Sequence, residues 1–420
     1  WGPTSAHANL MAAGTVAGAI SDSFDATAHL EIFSLDLGSR TGEMPLLGSV
    51  QTSDRFHRLA WGSYGHESGA FSHGLLAGGM VDGSIKIFNP ALMIAQQGVD
   101  PTIASVERHT GAVRGLEFNP AVPNLLASGA GESEVYITDL SNPTAPSVYS
   151  PGAKSNAPPA DISCVAWNRK VQHILASTSH NGQSVVWDLK LKRPVISFTD
   201  PNNKTQRNSV IAWSPDVATQ VLIASEDDRS PSLQIWDLRN AFAPVKELLG
   251  HQKGILSAAW CPNDSNLLLS SAKDNRTLCW DPNSGEILCD LPSGTNWTFD
   301  VHWSPKIPAI LSCSSFDGEV SVFSLQDSGG ASAADDGWGG AGADQGARSM
   351  RAPKWLKRPC GATFSFGGKL AVFSEAKGVS VDVVSVVTDQ EIVTRAGQLQ
   401  EALESQDLSA FCAMKAHGAT

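Results

Sequence analysis

Residues 250–281 read GHQKGILSAAWCPNDSNLLLSSAKDNRTLCWD, and this stretch decides the fold. It opens on Gly250-His251. An apolar run follows and ends in Trp260-Cys261-Pro262. Leu267-Leu268-Leu269-Ser270 forms a second run, Asp274-Asn275 a tight turn, and a third run closes on Trp280-Asp281. Short apolar runs between turn residues read as strands, and Asn or Gly in the turn tolerates positive φ. A weaker fourth run covers residues 286–291, so the unit reads as four antiparallel strands.

The same unit recurs along the chain. An aromatic followed by a small or polar residue stands at Trp1-Gly2, Trp61-Gly62, Phe118-Asn119, Trp167-Asn168, Trp213-Ser214, Trp260-Cys261 and Trp303-Ser304. Successive aromatics lie 60, 57, 49, 46, 47 and 43 residues apart. A second signature follows each: Phe33-Ser34, Phe88-Asn89, Thr138-Asp139, Trp187-Asp188, Trp236-Asp237, Trp280-Asp281 and Phe323-Ser324. Hairpin turns lie between them at Asp82-Gly83, Asn181-Gly182, Asp274-Asn275 and Asp317-Gly318. The period and the Trp-Asp dipeptide resemble WD-repeat β-propellers. Seven units over residues 1–326 predict an all-β, seven-bladed propeller. The resemblance implies that His251, Ser270, Asp274 and Trp280 form a hydrogen-bonded chain within one blade, which makes His251 structural. Trp1 falls at the end of the first unit's inner strand. The remainder of that strand is therefore expected upstream, and a chain extended in that direction should melt higher.

Composition excludes several classes. The 420 residues carry a formal charge of -12, and only 17% are charged. An acidic chain is a poor phosphate binder, so no nucleic-acid partner is expected. No apolar run approaches the ~18 residues of a transmembrane helix, and no signal peptide is visible. Seven cysteines at irregular spacing, without C-x-x-C, suggest neither a disulfide framework nor a zinc site and fit a reducing compartment. They read as small core residues.

No catalytic motif stands out. Gly129-Ala130-Gly131 lacks the third glycine of a dinucleotide loop. Gly368-Lys369 lacks the upstream glycine of a phosphate loop. Gly65-His66-Glu67-Ser68-Gly69 places its serine wrongly for a nucleophile elbow and lacks a second zincin histidine. Asp227-Asp228 and Asp335-Asp336 are loop carboxylates. No enzymatic activity and no cofactor are expected.

Composition changes at residues 327–350, an Ala/Gly/Asp stretch that reads as a flexible linker. Residues 351–387 read as a three-strand β module. Strands are expected at 362–366 and 369–374, joined by Gly367-Gly368, and at 379–387. Phe364 and Phe366 share one face of the first, and Leu370 and Val372 one face of the second. Three strands bury little core alone. They pack either on their own propeller or, by strand addition, on another protein's sheet. A helical period begins near residue 388. Thr388-x-x-Glu391 is a capping-box pattern, and Ile392, Ala396, Leu399 and Leu403 share one face. Asp407 could cap a second helix through Phe411 and Met414.

The stretch from Trp355-Leu356-Lys357-Arg358-Pro359 to Phe366-Gly367-Gly368-Lys369-Leu370 is similar to the invasion segment of the large outer-cage subunits of the COPII vesicle coat. Gly79-Met80-Val81-Asp82-Gly83 and Ile87-Phe88-Asn89-Pro90 resemble that family's second blade. The resemblance implies a non-enzymatic scaffold on the cytoplasmic side of endoplasmic-reticulum exit sites. It implies that the module inserts as a blade into the propeller of the small outer-coat subunit, with Trp355, Phe364, Phe366, Leu370, Val372 and Phe373 as contacts. Residues 388–420 would begin an α-solenoid that dimerises, and the propeller would meet other propellers at cage vertices. Inner-coat contacts would lie in regions beyond this chain. A competing reading is a WD-repeat adaptor that presents substrates to a ubiquitin ligase. The β module separates the two, because the coat reading requires it to enter a partner's sheet.

Overall fold

The computed structural model describes residues 1–15, 28–36, 43–66, 69–96, 98–152, 159–292, 296–325, 360–365, 369–374, 381–386, 389–405, 409, 412, 413 and 416. The chain divides into two compact units, Trp1–Ser349 and Met350–Thr420.

Among the described residues, the first unit is a ring of seven antiparallel sheets. The first pairs Leu10–Gly14, Ala28–Ser34 and Leu46–Thr52 in that order. The second runs Phe56–Gly62, Leu75–Met80, Ser84–Phe88 and Thr102–Glu107. Three more four-stranded sheets follow the same up-and-down order, with inner strands Gly115–Phe118, Ile162–Trp167 and Asn208–Trp213. The sixth, from the deciding stretch, runs Ile255–Trp260, Leu268–Ala272, Thr277–Asp281 and Glu286–Leu291. The seventh has Thr298–Trp303, Ile310–Ser315 and Val320–Ser324.

The hairpin turns show why these residues fold this way. Gly83, Gly182, Asn275 and Gly318 all sit at positive φ. They are the second residues of the four turns read from the sequence, where a side chain with a branched Cβ would be strained. The next strand therefore doubles back beside the last.

From the second sheet to the seventh, each inner strand packs against the inner strand of the next sheet. Three of the tryptophans that end those strands link neighbouring sheets. Trp167 Nε1 donates to the Glu117 carbonyl at 3.0 Å, Trp213 Nε1 to the Ala166 carbonyl at 2.9 Å, and Trp303 Nε1 to the Ala259 carbonyl at 3.0 Å. Each bond reaches back one sheet, which satisfies a buried indole donor and fixes the spacing.

Two contacts join the beginning of the ring to its end. Trp1 Nε1 donates to Ser312 Oγ at 2.9 Å. Arg58, on the second sheet's inner strand, meets Asp300, on the seventh's, at 3.2 Å. Asp300 also accepts from Ser257 Oγ and lies 2.8 Å from His302 Nε2. Burial alone would raise the Asp300 pKa, but Arg58, then His302, then the hydrogen bonds outweigh it and hold the carboxyl well below 3.8.

A short helix, Pro90–Ala95, follows the third strand of the second sheet. Asn89 caps it, accepting from the Ala91 amide at 3.0 Å, with Pro90 at the position where a missing N–H costs nothing.

The second unit holds a three-stranded antiparallel sheet, Cys360–Ser365, Lys369–Ser374 and Val381–Ser385. Its third strand falls within the expected 379–387 and stops before 386, and residues 375–380 and 387 lie outside the described residues. A helix, Gln390–Glu404, follows. Its cap is Asp389, whose carboxylate accepts from the Glu391 amide at 3.0 Å. The expected cap Thr388 lies outside the described residues, and aspartate's short carboxylate reaches that amide directly. Of the expected apolar face, Ala396 and Leu399 are half-buried, but Leu403 is exposed and Ala402 is buried instead. The side chain of Ile392 lies outside the described residues. Asp407, Phe411 and Met414 lie outside the described residues.

Candidate partner-binding surface

The second unit's sheet carries apolar residues on both faces. Directly paired residues of antiparallel strands share a face. Phe364, Leu370 and Val384 form one row, with Ala362 opposite Val372 beside them. Thr363, Ala371 and Val383 form a row on the other face. Phe373 pairs with Gly361 and Val381 in the backbone register. Phe364 is 77% exposed, Val381 and Val383 are each 59%, and Val384 is 53%. Leu370 and Val372 are half-buried. Every residue of Val381–Ser385 is exposed. Trp355 and Phe366 lie outside the described residues, as do Gly367-Gly368, the linker at 327–350 and Trp338.

A sheet that is solvated on one face normally alternates apolar and polar residues, whereas a strand buried on both faces reads as a near-continuous apolar run. Val383-Val384 puts an apolar residue on each face of the third strand, with Asp382 on the face of Val384 and Val381 on that of Val383. The surface is therefore suited to being enclosed from both sides, as a blade is between two neighbours.

The propeller supplies the contrast. In the sixth sheet His251 Nε2 lies 2.7 Å from Ser270 Oγ, and His251 Nδ1 lies 3.1 Å from Asp274. Trp280 Nε1 donates to Ser270 Oγ at 2.8 Å. All four side chains singled out in the sequence are thus linked. A second network was not read from the sequence. His109 Nε2 lies 2.8 Å from Ser128 Oγ, and His109 Nδ1 lies 3.3 Å from Glu134. Here glutamate replaces aspartate, and Thr138 stands where the tryptophan would be. The signal that could have found it is spacing: histidine and serine are 19 residues apart in both sheets. Burial lowers the pKa of both histidines below 6.5, against the opposing pull of Asp274 and Glu134. A neutral, fixed imidazole of this kind is a structural strut.

The weak motifs resolve into local structure. Ser63 O lies 2.9 Å from His66 Nδ1, and Asp227 accepts from the Arg229 amide. Glu67, Ser68, Asp335, Asp336 and Gly368 lie outside the described residues. Among the described residues no cluster of His, Cys, Asp or Glu could hold a metal ion, and no helix is long and apolar enough to cross a membrane.

Seven sheets in a ring, tryptophan-locked, with a histidine–serine–acid strut, define a WD-repeat β-propeller. The family profile described as WD domain, G-beta repeat, matches residues 242–281. The chain is 46% identical to protein transport protein SEC31 homolog B of Arabidopsis thaliana over 412 residues, covering 96% of this chain and 36% of that protein. It is 41% identical to protein transport protein Sec31A of Homo sapiens over 458 residues, covering 99% of this chain and 37% of that one. A solved structure described as the outer coat vertex of COPII on membranes superposes with a TM-score of 0.71 at 31% identity, covering 90% of this chain and 95% of that one. The chain belongs to the Sec31 family of COPII coat proteins. It spans about a third of the length of the curated relatives it matches.

Proposed function

We propose that this chain acts as a scaffold of the outer COPII coat in transport from the endoplasmic reticulum to the Golgi, with no enzymatic step of its own. It works on the cytoplasmic face of endoplasmic-reticulum exit sites, peripheral to the membrane. The module at 351–387 inserts as a blade into the small outer-coat propeller, with Trp355, Phe364, Phe366, Leu370, Val372 and Phe373 in the joint. The propeller meets others of its kind at cage vertices. The helix near residue 388 begins the solenoid through which two copies dimerise, and inner-coat contacts belong to segments beyond this chain.

The observation that carries this reading is the apolar character of both faces of the 360–385 sheet. Strand addition contributes backbone hydrogen bonds and side-chain pockets together, which makes a long-lived joint. Each large apolar side chain fully enclosed there contributes roughly 1.5–3 kcal/mol. Vertex contacts can be weak singly, because many act together in a cage.

The test is co-purification with the small outer-coat propeller, with and without residues 351–387. Deletion should abolish the complex. Unchanged recovery of the partner would remove the reading.

A further inference from the structure

The sixth sheet sets two cysteines opposite each other. Cys279, on Thr277–Asp281, pairs with Cys289, on Glu286–Leu291. Directly opposed residues in antiparallel strands hold their Cα atoms about 4.5 or 5.5 Å apart, with side chains on one face. Disulfides span Cα separations of about 4.4–6.8 Å. Both spacings fall within that range, and the pair lies directly beside the register shift between Cys279 and Trp280.

The two thiols differ in a way that suits stepwise oxidation. Cys279 is wholly buried, whereas Cys289 is half-buried on the outermost strand of its sheet. The interaction of the two thiols lowers the Cys289 pKa below 9.0. The same interaction, with burial, pushes Cys279 well above it. Cys289 is thus the better thiolate and the more reachable sulfur. Burial pushes Cys261 up to about 11 and Cys313 up to about 12, which keeps those thiols inert. Cys412 is exposed and has no described cysteine paired with it in a sheet.

We propose that Cys279 and Cys289 form a reversible thiol–disulfide exchange site that reacts with small-molecule disulfides of the glutathione class. The Cys289 thiolate attacks one sulfur of glutathione disulfide. A sulfur–sulfur bond forms, the original one breaks, and one glutathione thiolate leaves and takes up the proton that Cys289 lost. Cys279 then gives up its proton to solvent, and its sulfur attacks Cys289 Sγ, releasing the second glutathione thiolate, which is protonated in turn. Two protein thiols are oxidised by two electrons, and one glutathione disulfide is reduced to two glutathiones. The product staples the outermost strand of the sixth sheet to its neighbour. Because the strands already set the geometry, the bridge forms in the folded chain, and a reducing dithiol reopens it.

The experiment treats the folded chain with oxidised glutathione under native conditions. Free thiols are then alkylated and the peptides identified by mass spectrometry. A peptide linked through Cys279 and Cys289 is expected, with loss of two alkylatable thiols and recovery by dithiothreitol. Cys289→Ser, at a half-buried site, should abolish the link, and Cys412→Ser should leave it unchanged. Cys279→Ser should stop at a glutathione adduct on Cys289. If that variant does not fold, the Cys289→Ser comparison decides alone. No link in the native chain, a link that forms only in denaturant, or modification confined to Cys412 would overturn the proposal.

Discussion

The sixth sheet of the propeller and the sheet at residues 360–385 follow the same local rules and end in opposite environments. Both are antiparallel with short connections. In the sixth sheet every residue of Leu268–Ala272 is buried. In the other, every residue of Val381–Ser385 is exposed, although its run of valines is as apolar. The difference lies in neighbours. Leu268, Ala272 and Leu278 belong to a core cluster that also draws on the fourth and fifth sheets. Among the described residues, no core cluster includes a residue of the second unit's sheet. Apolar residues in a strand specify the burial of the assembled state, and the propeller sheet reaches that state among its neighbouring sheets.

That contrast can be broken from either side. The largest effect is expected at the buried end: Trp280→Ala removes both an indole and a hydrogen bond to Ser270. It should cost about 3–5 kcal/mol in chemical denaturation. On the exposed side, Phe364→Asp combined with Val383→Asp should leave the chain folded. It should weaken binding to the small outer-coat propeller by about a hundredfold, or ~2.7 kcal/mol, read by calorimetry. Equal damage to stability from that pair would show that the sheet is already part of a core.

The ion pair is intermediate. Arg58 and Asp300 side chains are each 28% exposed, so solvent screens part of their attraction. Asp300→Asn should lower stability by about 1–2 kcal/mol.

Acid should act in two stages with the same sign. The folded pKa values of His251 and His109 lie below 6.5. The unfolded chain therefore binds more protons, and stability falls as pH drops below 6.5. Asp300, depressed below 3.8, adds its loss only as pH falls past that value. Thermal melts from pH 8 to 3 should show both stages, and replacing both histidines should shrink the first, to which His57, His73 and His180, also held below 6.5, contribute. The smallest effect belongs to Val383→Ala, within about 0.5 kcal/mol for the chain alone. A loss comparable to that of a core position would erase the contrast between the two sheets.

The ring was legible because its signals are local. The aromatic that ends each inner strand and the Asn or Gly in each hairpin are fixed by the few residues around them. What was not legible depends on partners far apart in sequence or on substitutions that keep a role while changing a name. Glu134 serves His109 as Asp274 serves His251, but the longer side chain comes from a shifted position. Arg58 and Asp300 meet only once the ring exists. The pairing of Cys279 with Cys289 depends on a register shift between Cys279 and Trp280, and a spacing of residues cannot show that. In the second unit's sheet the strand pattern was readable from alternation. The exposure of both faces needed the register, because Val383 and Val384 are neighbours in sequence that face opposite sides.

The Arg58–Asp300 contact also bears on how the chain folds. Its two ends are 242 positions apart, while each sheet is built from strands joined by short connections. Hairpins can therefore form early and independently, as each emerges during synthesis, but the ring cannot close until residue 300 is available. Closure is a single late event that the local sheets wait for. A lesion at these long-range contacts should therefore leave the individual sheets formed. It should trap an open string of blades whose apolar faces are free to find the wrong neighbour.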